Sequence, residues 1–213
     1  MALKTITELK SKLSGGGARP NLFEVSIPSL PECASQRGKW KGDDNGAGKM
    51  QFLCKATALP ASNIANIDVP FRGRILKVAG DRTIDTWTIT VINDEDFLIR
   101  NHMEDWMNGI SKLDNNTGAT SPGAYMADAN VIQLGHGAGK GIKSVQNQDS
   151  GSTGGAQLTQ GLRKYKFFDI FPTNVSTIDL SYDSTDTIEE FTVEFQVQYW
   201  SALKGAAAFA DVK

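Results

Sequence analysis

Residues 188–200 read Ile188-Glu189-Glu190-Phe191-Thr192-Val193-Glu194-Phe195-Gln196-Val197-Gln198-Tyr199-Trp200. Phe191, Val193, Phe195, Val197 and Tyr199 fall on one side of a two-residue period; Glu190, Thr192, Glu194, Gln196 and Gln198 fall on the other. Side chains of an extended chain alternate between faces, so this stretch predicts a strand with one dry face and one wet face. On the pattern alone, the polar side suits a solvated outer sheet surface better than the wall of a water-filled channel.

The same period recurs through the chain. Phe23, Val25 and Ile27 alternate with polar residues over 21–28, and a strand over 50–58 is expected to stop at Pro60. Residues 73–79 and 83–92, separated by the turn signal Gly80-Asp81, predict an antiparallel hairpin. Further strands are expected over 124–134 and over 163–171, the latter closed by Pro172, with a weaker one over 174–182. Between them the period changes. Ile99, Met103, Trp106, Ile110 and Leu113 step by four, three, four and three, which is one stripe of a helix. Asn93 followed by Asp94, Glu95 and Asp96 reads as its cap and acidic first turn. Gly109 is expected to weaken the last turn. A short amphipathic helix over 5–13, striped by Ile6, Leu9 and Leu13 and ended by Gly15-Gly16-Gly17, needs a surface to dock on. The alanine-rich tail from 204 reads as a short helix or as disordered.

These elements predict a mainly β (α+β) fold of antiparallel strands with one longer helix, one domain over 1–213. Residues 31–49 and 135–161, rich in glycine and polar residues, read as long loops.

With 213 residues the chain can build a core without a disulfide or metal staple. A net charge of −2 carries no positive footprint for reading nucleic acid and no polybasic run for an anionic membrane. No apolar run approaches a membrane span, and the N-terminal residues lack a signal-peptide pattern. Cys33 and Cys54 form no Cys-x-x-Cys, and Cys54, in the run Phe52-Leu53-Cys54, reads as a buried thiol.

The motifs that would carry chemistry fail on spacing. Gly135-His136-Gly137-Ala138-Gly139-Lys140-Gly141 invites a phosphate-loop reading, but the position needing the first glycine is Leu134 and the one needing a hydroxyl is Gly141. His102, read as pointing outward from the helix, and His136 have no second ligand at metal spacing. No Gly-x-Ser-x-Gly elbow is present. A glycosidase needs only two carboxylates held a few ångströms apart, and carboxylates abound in this chain. No catalytic residue, metal or cofactor is expected.

One block is more specific. It runs Leu53-Cys54-Lys55-Ala56-Thr57-Ala58-Leu59-Pro60, Val69-Pro70-Phe71-Arg72-Gly73-Arg74, Val78-Ala79-Gly80-Asp81-Arg82, Trp87-Thr88-Ile89-Thr90-Val91-Ile92-Asn93-Asp94 and Ile99-Arg100-Asn101-His102-Met103-Glu104-Asp105-Trp106. This ordered set resembles the tail-tube protein family of contractile-tailed (T4-like) bacteriophages, and Phe191–Trp200 resembles the family's C-terminal strand in placement. The loops 31–49 and 135–161 carry none of its motifs.

The resemblance implies a small antiparallel β-barrel or sandwich with a flanking α-helix, and hexameric rings stacked into the inner tube of a tail, without enzymatic activity. Its partners would be sister copies, the tail sheath, the baseplate and tail-terminator proteins, and the tape-measure protein and DNA in the lumen, with no membrane anchor. The chain would reside in the virion after synthesis in the host bacterial cytoplasm. Glu190, Thr192, Glu194, Gln196 and Gln198 would line the channel, and Arg72 and Arg74 are expected to pair with acidic groups of a neighbouring subunit. The alternatives are a type VI secretion or bacteriocin-like tube, and a monomeric carbohydrate-binding module using loop 135–161. That loop lacks Trp, Tyr and Phe, which weighs against the module.

Overall fold

A computed structural model describes residues 5–13, 17–41, 45–135 and 161–203. The glycine-rich stretch 136–160, with His136, and the tail from 204 lie outside them. The elements are α1 (Ile6–Lys12), β1 (Phe23–Ser26), a 3-10 turn (Arg37–Lys39), α2 (Gly46–Leu53), β2 (Cys54–Thr57), β3 (Ser62–Phe71), β4 (Arg74–Ile84), β5 (Trp87–Ile92), α3 (Leu98–Ile110), α4 (Pro122–Tyr125), β6 (Ala127–Leu134), β7 (Gly161–Val175), β8 (Glu190–Gln196) and β9 (Tyr199–Leu203).

The chain forms two compact units, one of residues 26–129 and 167–200 and a smaller one of the remainder. In the larger unit hydrogen bonding runs β7-β8-β5-β2, and among the described residues β3 pairs with β4 alone. The β2–β5, β3–β4, β5–β8 and β7–β8 pairings are all antiparallel. In the smaller unit β6 lies between β1 and β7, and β9 adds to β7. Among the described residues neither set of strands closes on itself, so the barrel alternative gives way to an open sheet with flanking helices.

The core of the larger unit follows from the alternation. Trp87 opposes Phe195, Ile89 opposes Val193 and Val91 opposes Phe191, and all six side chains are buried. Trp87 also meets the Phe167 ring at 4.8 Å and donates its Nε1 hydrogen to Thr57 Oγ1 at 2.8 Å. Helix α3 covers this dry face with Ile99, Met103 and Trp106; the Trp106 and Phe195 rings lie 5.9 Å apart. Arg100 pins the helix from the side, stacking over Phe191 and donating to the Ser176 carbonyl at 3.1 Å.

Several expectations are corrected here. The helix begins at Leu98, after a turn in which the Phe97 amide donates to the Asp94 carbonyl; Asn93 is not its cap but donates to Glu189. His102 is buried rather than outward. Its Nδ1 lies 2.6 Å from the Leu98 carbonyl, which can only accept, so Nδ1 carries the proton, and its ring packs against Trp40. Residues 50–53 are helical because Met50 and Cys54, four apart, both turn inward while Phe52 is 84% exposed; a strand would put all three on one face. Loop 31–49 is partly structured: Trp40 is fully buried and donates to the Ile27 carbonyl at 2.7 Å. Gly109, expected to weaken α3, lies where the chain at Cys33 crosses the helix, and a Cβ there would come within 2.4 Å of the Cys33 oxygen.

Strand β7 runs past Pro172 to Val175, with a register shift between Pro172 and Asn174. A residue without an N–H interrupts the ladder and is accommodated by that irregularity. Strand β8 ends at Gln196, short of the expected 200. Tyr199 begins β9, half exposed, and stacks on Phe168 at 4.6 Å. In the smaller unit, α1 has the capping box Thr5/Glu8, and its stripe of Ile6, Leu9 and Leu13 is exposed.

Candidate assembly surface

Two surfaces of the larger unit stand out: the wet face of β5 and β8, and the β3–β4 hairpin. On the first, Thr88 opposes Glu194, Thr90 opposes Thr192 and Ile92 opposes Glu190. These side chains are half-buried by their neighbours, with Glu190 exposed. The structure therefore brings Glu190, Thr192, Glu194 and Gln196 together on one outward face. Gln198 falls in the bend after β8 and is exposed. Lys55, on β2, meets Glu190 at 2.5 Å, which counters that charge. Glu194 has no ion pair among the described residues, so it is the uncompensated carboxylate of the stripe.

The hairpin differs from the one expected. Its turn is Arg72-Gly73, with φ of 44° and 80°, the positive values that a two-residue turn of the primed type requires. Gly80-Asp81 lies inside β4, opposite a register shift between Ile64 and Asn66. The missed signal was Arg72-Gly73 itself, because arginine is an uncommon residue at φ > 0.

The register separates two faces. Ile67 opposes Val78, Val69 opposes Leu76 and Phe71 opposes Arg74; between them Asp68 opposes Lys77 and Pro70 opposes Ile75. One face thus carries Ile67, Val69, Phe71, Leu76 and Val78, ending in Arg74. The other carries the Asp68–Lys77 ion pair at 3.4 Å. Every residue of the apolar face is exposed, Phe71 by 66% and Leu76 by 62%. Arg72 stacks over Phe71 at 5.4 Å, and neither Arg72 nor Arg74 forms an ion pair among the described residues. Sequence reasoning had named the two arginines and missed the apolar face, although the spacing of Ile67, Val69 and Phe71 marks it.

Behind this surface the geometry is structural. Lys49 on α2 meets Asp94 at 2.6 Å and also Asp96, in the turn before α3. The hydrogen bond to Asp94, then that to Asp96, raises the Lys49 ammonium above its usual range; the same Lys49 contact holds Asp94 below its own. Burial pushes the Cys54 thiol up to about 12, consistent with an inert packed sulfur. Among the described residues no three His, Cys, Asp or Glu side chains gather as a metal site, and no helix is long and apolar enough to cross a membrane.

Comparison with known proteins points in one direction. The model of the phage tail tube protein family matches residues 18–203. The tail tube protein gp19 of Enterobacteria phage T4 is 34% identical over 187 residues, 88% of this chain and 93% of that protein. The tail tube protein of Serratia phage KSP90 is 28% identical over 134 residues, 62% of this chain and 71% of that one. Among solved structures, the anti-feeding prophage tube-terminating cap superposes with a TM-score of 0.55 at 12% identity, covering 89% of this chain and 92% of that one. A chain of an extracellular contractile injection system sheath–tube complex gives 0.52 at 12% identity, over 91% and 97%. At these identities the two structures share the fold alone.

Proposed function

The chain belongs to the phage tail tube protein family, and from that premise we infer that it is the structural subunit of the inner tube of a contractile tail, closing with sister copies into six-membered rings that stack. The observation that carries this is the hairpin. A two-stranded hairpin is marginal by itself in water. This one exposes five large apolar side chains on one face, each worth about 1.5–3 kcal/mol when buried. Its edges, like that of β2 in the open sheet, pair with no further strand among the described residues. Exposed edges and apolar faces invite pairing with another chain. A ring of identical copies satisfies both while leaving no free end.

The wet face of β5 and β8 serves as the channel wall in this reading. Glu190, Thr192, Glu194, Gln196 and Gln198 face the lumen beside Thr88 and Thr90. Glu194 repeats once per subunit and repels phosphates close to the wall, over a screening distance of about 8 Å at physiological salt. DNA then passes without adhering. The tape-measure protein occupies the same lumen before ejection, the sheath surrounds the tube, and baseplate and terminator proteins hold its ends. The assembly belongs to the virion, and the subunit is made in the host bacterial cytoplasm. The role is structural rather than catalytic. The 34% identity to a phage tail protein over most of both chains favours a phage tail over a secretion or bacteriocin tube.

Electron microscopy and sedimentation of the purified full chain test the assignment. Hollow rods or six-fold rings are expected. A chain that stays monomeric at every concentration, with or without preassembled baseplate to nucleate growth, would overturn it.

A further inference from the structure

The tube reading leaves open what covers the hairpin, and the larger unit contains a surface whose chemistry fits it. Residues 176–189 connect β7 to β8 without regular structure. They display Leu180, Tyr182 and Ile188, with Tyr182 fully exposed. The same stretch holds Asp179, Asp183, Asp186 and Glu189 and no Lys or Arg. Asn93 engages Glu189; the three aspartates have no ion pair among the described residues. Three large apolar side chains are exposed along this one segment, apolar surface of the kind that a contact would cover. Its charge is opposite to that of the hairpin tip, where Arg72 and Arg74 stand beside Phe71 without acidic partners.

The two surfaces are not each other's partners within one copy, because both stay exposed there. We propose that in the assembled tube the β3–β4 hairpin of one copy lies on segment 176–189 of a neighbouring copy. Its apolar face meets Leu180, Tyr182 and Ile188, and Arg72 and Arg74 meet Asp179, Asp183 and Asp186. A strand of ten residues spans about 33 Å, which is enough to reach an adjacent subunit. Apolar contact supplies the attraction, and the opposed charges select the register and exclude the hairpin from like-charged surfaces. This inference rests on the tube reading and adds the identity of the contact.

The test places benzoylphenylalanine at Phe71 in the full chain and mixes isotopically light and heavy copies before irradiation. Cross-linked peptides joining a light hairpin to a heavy 176–189 segment are expected. Arg72→Glu with Arg74→Glu should lower their yield by at least about tenfold, since like charges facing each other oppose association; adding Asp183→Arg and Asp186→Arg should restore it. Assembled copies whose cross-links map to another segment, or a yield indifferent to charge reversal, would overturn the contact while leaving the tube intact. Copies that never associate would sink the tube reading itself, and the contact with it.

Discussion

Strands β5 and β8 and the hairpin β3–β4 are written in the same alternating code and meet opposite fates. In β5 and β8 the apolar side chains face inward and helix α3 seals them, leaving Trp87, Phe191 and Phe195 with almost no exposure. In the hairpin the apolar face, from Ile67 to Val78, remains in water. Alternation therefore specifies that a face must be covered without specifying by what. The chain completes the first region itself and leaves the second uncovered, and in the proposed tube sister copies cover it. On that proposal the adhesive surface lies on a part that the subunit's own core does not depend on.

Substitutions should separate the two regions. Phe195→Ala opens a cavity between Trp87 and Trp106 and should cost about 3–5 kcal/mol of monomer stability, read by urea denaturation. Phe71→Ser with Leu76→Ser should shift monomer stability by no more than about 0.5 kcal/mol, because both side chains are already exposed. The same pair should abolish rings and rods in sedimentation. An equal loss of monomer stability in both variants would erase the distinction. On the wet face of the sheet, Glu194→Lys should leave assembly intact and cause preformed tubes to retain short duplex DNA at low salt, an effect that fades as salt is raised.

The smallest expected effect concerns the Lys49 clamp. Asp94 sits below its ordinary 3.8, so its contribution is present above that value and is lost as pH falls through the depressed one. Lys49 sits above its ordinary 10.5, so its contribution is full below that value and is lost as pH rises through the raised one. The clamp should be constant across neutral pH and weaken at both extremes. Denaturation midpoints at acid, neutral and alkaline pH should lose that part of their pH dependence in Lys49→Met.

The sequence made the β8 alternation and the α3 stripe legible because both faces are settled inside one chain. Boundaries set by tertiary contact were not legible. His102 reads as outward until Trp40, sixty-two positions earlier, covers it. Gly109 reads as a flaw until the chain at Cys33 crosses it. Residues 50–53 hold too few apolar side chains to separate helix from strand, and the buried pair Met50 and Cys54 decides the matter in three dimensions. For the candidate site, the polar stripe from Glu190 to Gln196 was visible, whereas the pairing of Glu190 with Lys55, 135 positions away, was not. Arg72 and Arg74 were recognised, but the turn that Arg72 forms with Gly73 was expected at Gly80-Asp81, where the residue pair is a commoner turn former.

Hydrogen–deuterium exchange on the full chain, compared between monomer and assembled tube, tests the central claim most directly. Amides of residues 62–84 should exchange quickly in the monomer and become strongly protected in the tube, while 87–92 and 190–196 stay protected in both. A hairpin equally protected before and after assembly, or equally open in both, would show that sister copies do not complete it.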